Sequence, residues 1–70
     1  MQKQPIVLFI GAGNMAQSLI SGLVASGFER SHIWVTDRHL VNLQHFSSQF
    51  GIQTHSSNLE ASKNADILVL

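Results

Sequence analysis

Apolar residues along this chain alternate between short unbroken runs and longer stretches in which they recur every three or four positions. Residues 6–10 form an unbroken run, Ile6-Val7-Leu8-Phe9-Ile10, ended by Gly11; this is the pattern of a strand covered on both faces. Over residues 14–26, Met15, Leu19, Ile20, Leu23 and Val24 recur at helical spacing, with Gln17, Ser18 and Ser21 mostly opposite. Gly27 supplies the stop of this predicted helix. Ile33, Trp34 and Val35 favour a second strand that ends at Thr36-Asp37-Arg38, and Leu40, Leu43, Phe46 and Phe50 then share one stripe of a second helix closed by Gly51. Residues 52–54 read as a third strand. Ser57-Asn58-Leu59-Glu60 has the capping-box pattern of a short third helix, and residues 67–70 are a fourth apolar strand.

The order β-α-β-α-β-α-β predicts an α/β fold: a Rossmann-type parallel sheet with right-handed crossovers and helices on both faces. No repeat, low-complexity tract or linker interrupts it, so residues 1–70 read as one unit. In such a sheet ligands bind beyond the carboxyl ends of the strands. The run Ile67-Leu68-Val69-Leu70 carries no turn signal behind it, and the chain is therefore expected to continue beyond Leu70.

Between the first strand and the first helix stands Gly11-Ala12-Gly13-Asn14-Met15-Ala16, which reads as G-x-G-x-x-A, a form of the dinucleotide-binding turn. Gly11 permits the tight turn, Gly13 lets backbone approach a pyrophosphate without a Cβ in the way, and Ala16 lets the helix lie close on the sheet. The phosphates would meet the free N–H groups and positive dipole end of the helix. No G-K-[ST] follows the turn, which argues against a nucleoside-triphosphate loop. Asp37 lies twenty-one positions past Ala16, at the end of the second strand, where a carboxylate can accept hydrogen bonds from the adenosine ribose. Arg38 beside it can pair with the 2′-phosphate of NADP, which that carboxylate would repel. A plainer alternative has Asp37 capping the second helix and Arg38 solvated.

Composition narrows the function further. Four Lys/Arg balance four Asp/Glu, so neither nucleic acid nor an anionic membrane is an expected partner. With no cysteine, disulfides and Cys-based zinc sites are excluded. His32, His39, His45 and His55 include no pair at i, i+4, and they read as solvated or hydrogen-bonded rather than as metal ligands. The lead Met1-Gln2-Lys3-Gln4-Pro5 and the apolar run behind it are too short for a signal peptide or membrane span, and a cytoplasmic protein is expected. Gly22, inside the first helix, reads as a point of close helix packing, Trp34 as core, and Leu19, Leu23 and Val24 as a face covering the sheet.

Phe9-Ile10-Gly11-Ala12-Gly13-Asn14-Met15-Ala16, followed by Ser18-Leu19-Ile20-Ser21-Gly22-Leu23, resembles the N-terminal stretch of pyrroline-5-carboxylate reductases. Asn14-Met15-Ala16 carries the resemblance; dehydrogenases of the 3-hydroxyisobutyrate and 6-phosphogluconate type usually have Gly-Leu-Gly-x-Met-Gly there. Gly51, Ile52, Asn58 and Ala65-Asp66-Ile67-Leu68 extend the likeness over nearly the whole chain. It implies a reductase that passes hydride from a nicotinamide cofactor, usually NADPH, to the C=N bond of Δ1-pyrroline-5-carboxylate, giving L-proline. It also implies that Ile10, Gly11, Ala12, Gly13, Asn14 and Met15 wrap the pyrophosphate, that Asp37 and Arg38 meet the adenosine ribose, and that Asn58 contacts the cofactor. Asp37 stands where many members have Ser or Asn, so NADH is expected beside NADPH. The family's substrate-binding and proton-donating residues belong to a C-terminal helical domain that also forms the dimer. On that reading residues 1–70 hold no catalytic residue, and a homo-oligomer is built by the domain beyond. Two other readings remain open: another dehydrogenase on the same scaffold, and a regulatory module that holds NAD(P) without turnover.

Overall fold

A computed structural model describes residues 4–70; the expectation for Met1, Gln2 and Lys3 lies outside the described residues. The elements are β1 (Val7–Ile10), α1 (Asn14–Ala25), a short 3-10 turn (Arg30–His32), β2 (Ile33–Thr36), α2 (Leu40–Phe50), β3 (Gln53–His55), α3 (Asn58–Ser62) and β4 (Ile67–Val69). All pairings are parallel, in the order β3-β2-β1-β4. The strand order reverses between β1 and β4, and this opens a crevice at the carboxyl end of β1.

Both faces of the sheet are covered by helices. Val7 and Phe9 of β1 and Ile33 and Val35 of β2 form one core with Ala16 and Ile20 of α1 and Leu43, Phe46 and Phe50 of α2. Leu8, between Val7 and Phe9, points the other way. It is completely buried, on the side where α3 lies against β1 and β2 and buries Ala61. Coverage from both sides explains why the first apolar run does not alternate.

The helix ends follow local chemistry. Beyond α1, Gly27 adopts φ +90°, its amide donates to the Val24 carbonyl, and the Phe28 amide donates to that of Leu23; this left-handed cap satisfies the last carbonyls. Gly51 closes α2 in the same conformation, at φ 67°. At the opposite edge of β1, the Ile6 amide donates to Asp66 Oδ2 at 2.8 Å while the Asp66 amide donates to the Ile6 carbonyl at 2.8 Å. Asp66 thereby fixes the register of β4.

Several expectations from the periodicity need correction. The face of α1 on the sheet is Ala16 and Ile20, with Leu23 and Val24 partly buried, whereas Met15 is 72% and Leu19 46% exposed. Leu40, at the start of the α2 stripe, is also exposed. Met15 and Leu19 border the apolar cavity formed with Val69 and Leu70, and Leu40 borders a groove with Leu43 and Thr54, so neither stripe is covered along its whole length by the described residues. Gly22 is exposed, and a methyl group placed on it would meet no atom within 4 Å, so it is not a point of close packing among the described residues. On β4, Ile67 and Leu68 are half-exposed among the described residues, where β4 pairs with β1 alone. The 3-10 turn over Arg30–His32 has no periodic signal in the sequence; its bond runs from the His32 amide to the Glu29 carbonyl. Trp34 is half-buried, donates Nε1–H to the Ser31 carbonyl at 3.0 Å and lies 4.6 Å from the His55 ring.

Candidate functional site

The turn between β1 and α1 is where the backbone leaves polar groups open. Gly11 adopts φ +99°, a conformation that L side chains rarely reach, and its amide donates to the Thr36 carbonyl at 2.9 Å, continuing the β1–β2 ladder into the turn. Gly13 then precedes α1 in extended conformation, φ −99° and ψ −172°, with no side chain capping the helix and no acidic residue in its first turn. Gly13, Asn14 and Met15 are exposed. A methyl group on Gly13 would meet no protein atom within 4 Å, so the space above it is open to a ligand. The first amides of a helix have no partner within it, and here they face outward with the positive end of the dipole behind them.

Two cavities meet at this turn and share Ile10 and Gly11. One, of about 260 Å³, is apolar and runs along Phe9, Gly13, Met15, Ala16, Leu19, Val69 and Leu70. The other, of about 270 Å³, is polar and is lined by Thr36, Asp37, Arg38, Ser56 and Asn58. An elongated molecule with an anionic centre and two ring ends would fit over the turn with one end in each. Ile10, Gly11, Ala12, Gly13, Asn14 and Met15 are contiguous there by chain connectivity. Asp37 and Arg38, from the loop after β2, and Asn58, at the start of α3, converge on the polar cavity. Thr36 and Ser56, which the sequence reading does not single out, line it too. Thr36 is fully buried and its Oγ1 has no partner among the described residues, so it offers one unsatisfied hydroxyl beside the cavity.

Asp37 lines that cavity with little of its side chain exposed, because its carboxylate is engaged by the protein. Its Oδ2 accepts the Asn42 side-chain amide at 2.9 Å and the Ala12 backbone amide at 3.3 Å. Its Oδ1 accepts the His39 backbone amide at 3.2 Å and lies 3.3 Å from His39 Nδ1, which donates when it carries the proton. The Asn42 hydrogen bond, followed by that of the His39 amide, lowers its pKa to about 2, against a small opposing effect of burial. The carboxylate is thus ionised and turned onto the protein. It holds the glycine turn to the entry of α2 but does not cap that helix, whose N-cap residue is His39 with no side-chain capping bond. Arg38 is exposed and makes no ion pair among the described residues. Asn42 escaped the sequence reading, because a polar residue in the first turn of a helix carries no periodic mark; its only clue is that it follows Asp37 by one turn and a half.

Three of the histidines are exposed or locally bonded, whereas His55 departs from that expectation, its Nε2 being buried with no partner among the described residues. His32 Nδ1 lies 2.8 Å from the Gln4 carbonyl, His39 rests on Asp37, His45 is edge-on to Phe46, and His55 stacks on Trp34. Among the described residues no cluster of His, Cys, Asp and Glu could hold a metal ion, and no helix is long and apolar enough to cross a membrane.

This geometry has close relatives. Residues 6–70 match the family model described as NADP oxidoreductase, coenzyme F420-dependent. The chain is 41% identical over 64 residues to the pyrroline-5-carboxylate reductase of Vibrio alginolyticus, across 91% of this chain and 24% of that protein. It is 42% identical over 66 residues to the enzyme of the same name from Pseudomonas aeruginosa, across 94% of this chain and 24% of that one. A solved pyrroline-5-carboxylate reductase from Coxiella burnetii superposes with a TM-score of 0.92 at 38% identity, over 97% of this chain and 25% of that one. The chain therefore spans about a quarter of the length of the relatives it matches.

Proposed function

The chain belongs to the NADP oxidoreductase, coenzyme F420-dependent family, and from that premise we propose that it binds the nicotinamide cofactor of a reductase converting Δ1-pyrroline-5-carboxylate to L-proline. The observation that carries this reading is the uncapped N-terminus of α1 above an open Gly13, framed by two cavities, in a chain whose relatives bear that enzyme's name. The cofactor, when bound, supplies the hydride that the C=N bond accepts.

The chain's own residues bind and orient. Ile10, Gly11, Ala12, Gly13, Asn14 and Met15 receive the pyrophosphate, the backbone amides of Gly13, Asn14 and Met15 offering hydrogen bonds that the helix does not use itself. The apolar cavity beside Met15 and Leu19 suits the nicotinamide end by its scarcity of polar lining. The polar cavity takes the adenosine end, with Arg38 placed to pair with a 2′-phosphate, Asp37 shaping the ribose corner and Asn58 reaching from α3. NADPH is the favoured cofactor and NADH is also used.

No catalytic residue lies in residues 1–70 on this reading. Substrate contacts and the proton donor belong to a C-terminal helical domain of the full-length protein, which also builds a homo-oligomer in the cytoplasm. The test is an assay of the full-length protein with NADPH and NADH against pyrroline-5-carboxylate and a panel of 2-hydroxy acids. Oxidation of the cofactor by the imine is expected; turnover confined to the hydroxy acids would replace this reading with a dehydrogenase on the same scaffold. Binding without any turnover would point to a regulatory module.

A further inference from the structure

A carboxylate at the end of β2 is a paradox in a site offered to NADPH, since its charge should repel the 2′-phosphate that Arg38 attracts. The resolution lies in what already surrounds it. Asn42 Nδ2, the Ala12 amide and the His39 amide all donate to Asp37, and His39 Nδ1 stands at 3.3 Å. A carboxylate has roughly four acceptor positions, so these neighbours leave none for a ribose hydroxyl. Only 14% of the Asp37 side chain is exposed, whereas Arg38 beside it is exposed and unpaired among the described residues. Asn42 supplies the shortest of these bonds, from the half-buried side of the first turn of α2.

We propose that Asn42 is a positioning residue for cofactor choice: it holds the Asp37 carboxylate folded against the glycine turn, so that Arg38 alone presents charge to the 2′ position of the cofactor. This rests on the nicotinamide-cofactor reading and adds to it the residue that sets NADPH against NADH. With Asn42 in place, the negative charge of Asp37 is compensated by N–H dipoles and its acceptor positions are occupied. Without it, Oδ2 regains a free lone pair that can take a ribose 2′-hydroxyl, and its less compensated charge opposes a 2′-phosphate. The change therefore moves the two cofactors in opposite directions.

The test is direct binding of NADPH and NADH to the full-length protein, by calorimetry, in the wild type, Asn42→Leu, Asp37→Asn and the double variant, with melting temperatures taken alongside. Asn42→Leu should lower the NADPH-over-NADH preference about threefold to tenfold, a reduced share of a charge-assisted hydrogen bond because the corner is open to water. In the Asp37→Asn background the same change should shift the preference by less than about twofold, since the charge it positions is gone. Asn42→Ala, a smaller change in the same direction, serves if the leucine variant does not fold. A preference unchanged in Asn42→Leu, or equal losses for both nucleotides with a lowered melting temperature, would show that Asn42 only stabilises α2 and would overturn the proposal. If neither nucleotide binds the wild type, the cofactor reading fails and takes this one with it.

Discussion

Helix α3 satisfies its first turn from its own residues: Ser57 Oγ accepts the Glu60 amide at 3.3 Å, and Glu60 adds a carboxylate to that turn. Helix α1, more than twice as long, begins at Gly13 with neither a capping side chain nor an acid. Ser, Thr, Asp or Asn at that position would contribute about 1 kcal/mol to the helix. The chain forgoes that contribution at α1, which begins at the topological switch point of the sheet, and also at α2, which begins at His39 with no capping side chain and no acid; what sets α1 apart is the open glycine before it and the cavities beside it. What the pair teaches is that one first-turn amide is capped by a side chain in α3, whereas those of α1 stay free above an open Gly13 and beside the two cavities.

The largest effect should come from filling the open side. Gly13→Val is expected to weaken binding of either nicotinamide cofactor by at least about a hundredfold, because its branched side chain stands where the pyrophosphate would lie. The fold should survive, since φ at Gly13 is negative and no protein atom lies within 4 Å of an added methyl. Circular dichroism and calorimetry on the full-length protein separate the two. Unchanged affinity would make the turn a mere connector and end the contrast with α3.

Next in size is Arg38→Ala. A charge-assisted hydrogen bond to a phosphate is worth about 1.5–3 kcal/mol where water is partly excluded, so NADPH affinity should fall roughly tenfold to a hundredfold. NADH should be almost unaffected. Equal losses for both would show that Arg38 acts by stacking on adenine or through the fold, and the polar cavity would lose its claim to the 2′-phosphate.

A smaller effect is expected at the self-capped helix. Ser57→Ala removes the acceptor of the Glu60 amide and should lower stability by about 1 kcal/mol, read as a shift in the denaturation midpoint. Cofactor affinity should change less than about threefold, because the capping bond faces the helix and not the cavity. A collapse of affinity instead would mean that the placement of neighbouring Asn58 depends on this cap, joining α3 to the site it borders.

The elements that define this contrast were readable in the sequence because each has a local cause. An unbroken apolar run marks β1, small residues at fixed offsets mark the turn, and Ser57 with Glu60 marks α3. What escaped depends on contacts between elements. Periodicity assigned Leu19 and Leu40 to buried stripes, yet each borders an open cavity that only the placement of neighbouring elements reveals. The run at β4 reads like the run at β1, yet among the described residues β1 is paired on both sides and β4 on one. Asp37 was legible as an acid at the right place, but the direction its carboxylate faces is decided by Asn42 and the Ala12 amide, which no spacing rule connects to it.

The smallest expected effect separates the body of α1 from its ligand-facing end. Gly22 lies mid-helix, one face round from Ala16 and Ile20, and the exposed residues Met15 and Leu19 share its stripe at i, i+4, i+7. Glycine in a helix interior costs up to about 1 kcal/mol relative to alanine, mainly through the greater backbone freedom of the unfolded chain. The space around it is open among the described residues, so Gly22→Ala should raise stability by roughly 0.5–1 kcal/mol. Cofactor affinity should stay the same, in contrast with Gly13→Val nine residues earlier on the same segment. The full-length protein makes the sign informative, since its relatives are about four times as long as this chain. Stabilisation would show that the Met15–Leu19–Gly22 stripe faces water there as well. Destabilisation would show that a further element packs on α1 closely enough to need a residue without a side chain, and would place the apolar cavity beside Met15 and Leu19 under that element's cover.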